Sequence, residues 1–122
     1  MNKMLDKISL WLEIEDLQKH EMLAHIYNIS KTDALTYFTI LEENTLTIQE
    51  ITKKLNKDRT TAQKTIKKLV ENGLVHKRKI NLAKGGIKYS YEAVPFSLVK
   101  EKMIKRVNDW QSVAVTKIKD VV

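Results

Sequence analysis

Apolar residues recur at helical spacing through most of this chain, and the exception is the stretch from Gly73 to Pro95. All three glycines and the only proline fall there, so helix breakers are confined to one region. Before it, Leu5, Ile8 and Leu12 share a helical face, and Leu17, Met22, Leu23 and Ile26 continue the pattern past the acidic step Glu13–Asp16. Lys3–Ile29 is thus predicted as one bent helix or two, with Trp11 inside a core or an interface. Ser30-Lys31-Thr32-Asp33 has the form of a helix cap. The helix it opens is predicted to run to about Glu43, with Ala34, Leu35, Phe38 and Leu41 facing inward and Asn44 ending it. Thr47-Ile48-Gln49-Glu50 is a capping box for a short helix, Ile48–Leu55, with Ile51 and Leu55 inward. Asn56-Lys57-Asp58 forms the next turn, and the Asp58 carboxylate suits the positive end of a following helix. That helix, Arg59–Asn72, carries Ala62, Ile66 and Leu69 as its buried stripe and is closed by Gly73.

Beyond Gly73 the periodicity changes. Leu74–Ile80 and Ile87–Val94 are β-branched and aromatic, as strands prefer, and Asn81–Gly86 joins them. Gly85-Gly86 supplies the positive φ that a hairpin tip needs. After Pro95, the residues Phe96, Val99, Met103, Val107, Trp110, Ala114, Ile118 and Val121 recur at steps of three and four. At 1.5 Å per residue this helix would be about 38 Å long. So small a domain cannot bury the whole stripe, which calls for a second copy. Phe96, Val99, Met103, Val107, Trp110, Ala114 and Ile118 are the expected dimer interface.

The order of elements is that of a mainly α protein with a small β-hairpin: a winged helix-turn-helix with flanking N- and C-terminal dimerisation helices. Three parts are expected: an N-terminal helical segment over 1–29, the winged unit over 30–95 and the dimerisation helix over 96–122. The expected wing is two-stranded.

Charge adds a direction to this picture. The 122 residues carry a net +7, but the first 50 have four lysines against nine acids, a balance of −5, while residues 51–122 hold the other 18 basic and 6 acidic residues, +12. Positive charge therefore collects on the helix-turn-helix, the hairpin and the last helix, which favours a polyanionic partner. A lysine-rich solvated surface would give the same total, but not its coincidence with the motif. Cysteine is absent. Disulfides, thiolate metal sites and cysteine nucleophiles are excluded, and a reducing cytoplasm fits. No stretch approaches the roughly 20 apolar residues of a membrane span. Acids at Asp6, Glu13, Glu15 and Asp16 interrupt any signal-peptide core. Asn28-Ile29-Ser30 matches a glycosylation sequon, which carries no weight without a secretion signal.

Candidate chemistry concentrates on one helix and the hairpin. Opposite Ala62, Ile66 and Leu69 lie Thr60, Gln63, Lys64 and Lys67, with Thr61 and Lys68 on a flank. An inert surface helix usually mixes charge signs to form Glu–Lys pairs, whereas here Glu71 is the only acid. Phosphate contacts need Lys and Arg, and base edges need hydrogen-bonding side chains. Gln63 suits adenine, and Lys64 and Lys67 suit guanine or phosphate. Arg59, Thr60 and Thr61 sit at a helix N-terminus where backbone amides also meet phosphate. In the hairpin, Arg78, Lys84 and Lys88 are placed for flanking backbone or the minor groove. The expected partners are double-stranded DNA and a second copy of the chain; no membrane is expected, and no residue argues for a small-molecule effector. No cofactor and no metal is expected either, since His20 and His25 fall on different helical faces and His76 lies in a strand. No catalytic constellation stands out. Two other functions share these features: a winged helix used for protein contacts in a transcription or replication assembly, and an architectural DNA binder of low specificity.

Several runs also resemble a known family. Ile29-Ser30-Lys31-Thr32-Asp33-Ala34-Leu35-Thr36-Tyr37 is similar to the first helix of TrmB-like and MarR-like regulators. Arg59-Thr60-Thr61-Ala62-Gln63-Lys64 followed by Leu69-Val70-Glu71-Asn72-Gly73-Leu74-Val75 resembles their reading helix, and Tyr91-Glu92-Ala93-Val94-Pro95 looks TrmB-like in particular. The resemblance spans roughly residues 29–98. It implies a homodimeric transcription regulator of the small single-domain archaeal type, with the second helix of the motif in the major groove.

Overall fold

Local capping decides where most helices begin. The computed structural model describes residues 18–122; the expectations for Leu5, Ile8, Trp11, Leu12 and Leu17 lie outside that range. Helix α1 spans Lys19–Tyr27 and α2 spans Lys31–Glu43. At the start of α2 the Asp33 amide donates to Ser30 Oγ at 3.0 Å, and the Ser30 amide donates back to Asp33 Oδ2 at 3.3 Å. The same reciprocal box opens α3, Ile48–Leu55, through Thr47 and Glu50. Helix α4, Arg59–Glu71, starts on Asp58, whose carboxylate accepts from the Thr61 amide at 3.2 Å. These bonds use donors that a helix N-terminus otherwise leaves unpaired. Asn28 and Asn56 close α1 and α3 in the left-handed conformation, which asparagine tolerates better than most residues. Gly73, at φ +72°, closes α4. There the Leu74 amide bonds Leu69 O and the Gly73 amide bonds Val70 O, a Schellman pair that turns the chain into the hairpin.

The sheet has one strand more than the two-stranded wing predicted. Thr45–Leu46 forms β1, Val75–Asn81 forms β2 and Ile87–Ala93 forms β3, all antiparallel in the order β1-β3-β2. Two residues carry no periodicity, so β1 is invisible in the pattern. Its pairing of Leu46 with Tyr91 ties the base of the wing to the turn before α3.

Helix α2 lies at the centre, touching α1, α3, α4, β1 and β3. Its buried arc differs from the one predicted. Leu35 is 42% exposed, whereas Thr36, Tyr37 and Ile40 are fully buried and Phe38 and Leu41 only partly so. Of the four residues predicted inward only Leu35 turns outward, and the buried arc extends to Thr36, Tyr37 and Ile40 because elements pack on α2 from more than one side. The core joins Leu23, Tyr37, Ile40, Ile51, Leu69, Leu74, Val75 and Val99. Within it the Tyr37 hydroxyl donates to the Val94 carbonyl.

The last helix, α5, spans Phe96–Lys119. Its first turns belong to the same core. Val99 and Met103 are buried, Phe96 meets Phe38 edge-on at 5.1 Å between ring centroids, and the Arg106 guanidinium lies 3.9 Å from the centroid of Tyr27. Its later turns differ: Val113, Val115 and Ile118 are exposed.

Candidate nucleic-acid interface

Four residues of α4 fix its orientation. Ala62, Thr65, Ile66 and Leu69 are buried, so the opposite face must point outward. Arg59, Thr60, Thr61, Gln63, Lys64, Lys67 and Lys68 are all exposed. Thr65 joins the apolar stripe unforeseen, since its methyl group serves as well as a small aliphatic side chain. The exposed face is not uniform. Lys68 Nζ stands 3.8 Å from Oδ2 of Asp33, whose side chain is only 6% exposed. Lys68 therefore partly answers the capping carboxylate of α2, while Arg59, Lys64 and Lys67 form no ion pair among the described residues. Hydrogen bonds from Thr61 hold the Asp58 carboxyl below its ordinary range, so it stays ionised where the amides of α4 begin.

The wing stands beside this helix, and strand alternation divides it into two faces. The buried pair Val75 and Ala93 sets the parity. Lys77 opposite Tyr91, and Lys79 opposite Tyr89, follow on that same inner face. Arg78 opposite Ser90, and Ile80 opposite Lys88, take the outer one. Gln63, Ile66, Lys67, Lys77 and Tyr91 line a shallow cleft between α4 and the inner face. Further out, a second and larger groove runs among Gln49, Arg59, Gln63, Leu82, Ile87 and Tyr89. Lys77 Nζ sits 4.2 Å from the centroid of Tyr89. On the outer face Arg78 Nη2 is 3.2 Å from Glu92 Oε1. Lys84 occupies the exposed tip beside Gly85 and Gly86, whose φ values are +87° and +93°.

The structure thus brings Arg59 and Gln63 to one groove, which Lys88 also lines although its strand position is an outer one, and carries Lys84 to the far end of the hairpin. It turns Arg78 to the other face of the sheet. Gln49, Lys77 and Tyr89 join the site without having been foreseen. The signal for the last two was present in the sequence: once Val75 counts as core, alternation places Lys77 inside and Arg78 outside.

The predicted dimer stripe divides at its middle. Phe96, Val99, Met103 and Val107 pack on the protomer's own core, so they are only partly free for a second copy. Trp110 and Ala114 are half-buried and Ile118 is 72% exposed. An apolar groove among Met22, Ile26, Met103, Ile104 and Val107 runs between α1 and α5. Among the described residues, no cluster of three or more His, Asp or Glu stands as a metal site would require. None of the described helices is long and apolar enough to cross a membrane.

Comparison with known proteins agrees with this geometry. The family model for the sugar-specific transcriptional regulator TrmB matches residues 23–97. Two uncharacterized proteins of Methanocaldococcus jannaschii are similar in sequence. MJ1503 is 34% identical over 89 residues, covering 73% of this chain and 67% of its own length. MJ1082 is 35% identical over 97 residues, covering 80% and 76%. Among solved structures, a possible transcriptional regulator from Methanosarcina mazei Go1 superposes with a TM-score of 0.74 at 23% identity, covering 85% of this chain and 88% of that one. A MarR family protein from Bacillus stearothermophilus superposes with a TM-score of 0.50 at 21% identity, covering 93% and 81%. At these identities the likeness to the two structures is one of fold. By its family match, the chain belongs to the TrmB family of transcriptional regulators.

Proposed function

We propose that this TrmB-family chain is a homodimeric, sequence-specific binder of double-stranded DNA. In this reading α4 enters the major groove and the wing lies along the flanking backbone or minor groove. Gln63 and Lys64 address base edges, and Arg59, Thr60, Thr61 and Lys67 hold phosphates around them. Lys84 and Lys88 carry the wing's contribution. The second halves of two α5 helices, with Trp110, Ala114 and Ile118, form the dimer contact. One observation carries the reading: α4 buries Ala62, Thr65, Ile66 and Leu69 completely enough to force a long, cationic, nearly acid-free face into solvent.

Selection of bound sequences from random duplexes, followed by affinities for the selected and a random duplex, tests it. An inverted repeat bound much more tightly than random DNA is expected, because two-fold protein symmetry imposes two-fold site symmetry. Equal affinity for both would leave an architectural binder instead. No binding at low salt would leave a protein-interaction module.

A further inference from the structure

We propose that one sugar-phosphate strand of the bound duplex seats in the groove between α4 and the inner face of the wing, held by Lys77 and Tyr89. Arg78, answered by Glu92 on the outer face, takes no part. This rests on the DNA-binding reading and adds to it which side of the wing meets DNA. A DNA strand alternates anionic phosphates with largely apolar deoxyriboses. The groove has matching chemistry. Leu82, Ile87 and Tyr89 form its wing-side wall, at 46%, 51% and 43% exposure. Single exposed apolar residues are ordinary, but three converging on one wall of a groove mark a surface that has something to cover it. Gln49, Arg59 and Gln63 stand opposite, supplying donors and a cation. Lys77 and Lys88 add cations from the wing.

The Lys77–Tyr89 contact points to a prepared site. An ammonium 4.2 Å from a ring centroid is attracted to the ring face, yet a cation–π contact uses none of its N–H donors as a hydrogen bond to an anion would. Lys77 has no ion pair among the described residues. It is thus held in place with its donors still available to a phosphate. The outer face offers the reverse. Glu92 already answers Arg78 at 3.2 Å, and its carboxylate would repel a phosphate approaching that side. Lys77 and Arg78 are neighbours in one strand, so their side chains leave the sheet on opposite faces.

Three variants of the full chain decide the matter on a single duplex across a salt series. Lys77→Ala is expected to weaken binding and to lower the slope of log affinity against log salt by about one. Tyr89→Ala is expected to weaken binding at every salt concentration with the slope nearly kept, since its own contact is apolar. The double variant Arg78→Ala/Glu92→Ala removes a pair without changing net charge, and is expected to match the wild type in both affinity and slope. All four residues lie outside the core, and circular dichroism of each variant checks that the fold survives. If the wild type binds DNA but the Arg78/Glu92 variant loses affinity and slope while Lys77→Ala and Tyr89→Ala do not, the wing meets DNA by its other face. The inference then falls and the DNA-binding reading stands. A wild type that binds no duplex removes both.

Discussion

Helices α4 and α5 are both amphipathic, yet the domain treats them differently. Helix α4 is 13 residues long, and its stripe ends within reach of α2, α3 and β2. All of it is covered, so its other face is committed to solvent or a ligand. Helix α5 is 24 residues long. The domain buries Val99 and Met103 and packs Val107, but leaves Trp110 and Ala114 only half-buried and Ile118 72% exposed. Two stripes of the same period therefore carry different messages. A stripe that matches its domain in length orients a helix. A stripe that outruns it marks a surface for a further partner, since large exposed apolar patches are uncommon on monomers.

Substitution within the two stripes should separate these roles most strongly. Leu69→Ala removes a side chain with no exposure and is expected to cost about 2–5 kcal/mol of stability. Ile118→Ala, at a site 72% exposed, is expected to alter protomer stability by no more than about 0.5 kcal/mol. Denaturant unfolding at low protein concentration reads both. Comparable losses would mean that the end of α5 is core after all.

The next effect is on assembly. Deleting residues 109–122 keeps Val99, Met103 and Val107 on the core but removes Trp110, Ala114 and Ile118. A folded monomer is expected from the shortened chain and a dimer from the full one, and sedimentation of both reads the difference. Trp110→Ala in the full chain should weaken association by about 2 kcal/mol, because large aromatic side chains dominate interfaces. A full chain that sediments as a monomer at every concentration would end the dimer reading.

Single side chains of α4 and the wing should differ in the DNA they discriminate. Gln63→Ala is expected to cost roughly 1–3 kcal/mol on a selected duplex and little on random DNA. Lys84→Ala, at the wing tip, should weaken both alike and lower the salt slope by about one. Titrations of the two duplexes at several salt concentrations compare them, and equal losses for Gln63→Ala on both would take base reading away from α4.

The legible parts of this fold were those written in local chemistry. Ser30, Thr47 and Asp58 announce three helix starts by side chains that bond amides three residues on, and Gly73 announces a helix end by a conformation few residues adopt. The outward face of α4 followed from Ala62, Ile66 and Leu69 alone. What stayed hidden depends on distant neighbours. Leu35 lies outside the buried arc because α2 is packed from several sides. Strand β1 exists only because Leu46 finds Tyr91, 45 residues later. The division of the long stripe after Val107 depends on where the rest of the domain ends. The inner face of the wing falls between these cases, since alternation was readable but its parity needed the burial of Val75 and Ala93.

A further expected effect concerns the joint between the domain and α5. Tyr37 is fully buried, and its hydroxyl donates to the Val94 carbonyl one residue before Pro95. That bond fixes where the chain leaves the sheet and enters the long helix. Burial pushes the Tyr37 hydroxyl up to about 12, from an ordinary value of 10.0, with Tyr27 adding to the rise. A phenol whose folded value is raised keeps its proton in the native state after the unfolded chain has lost it. Its contribution is therefore complete below pH 10 and disappears as pH climbs towards 12. The expected slope from this one group within that window is about 1.4 kcal/mol of lost stability per pH unit. Tyr37→Phe should remove the slope and should itself cost about 1–3 kcal/mol at neutral pH by leaving the Val94 carbonyl unpaired. Unfolding of both proteins from pH 8 to 12 reads the two effects together. Parallel curves, with the same alkaline slope in the variant, would show that Tyr37 is not the group that titrates and that other tyrosines set the alkaline limit.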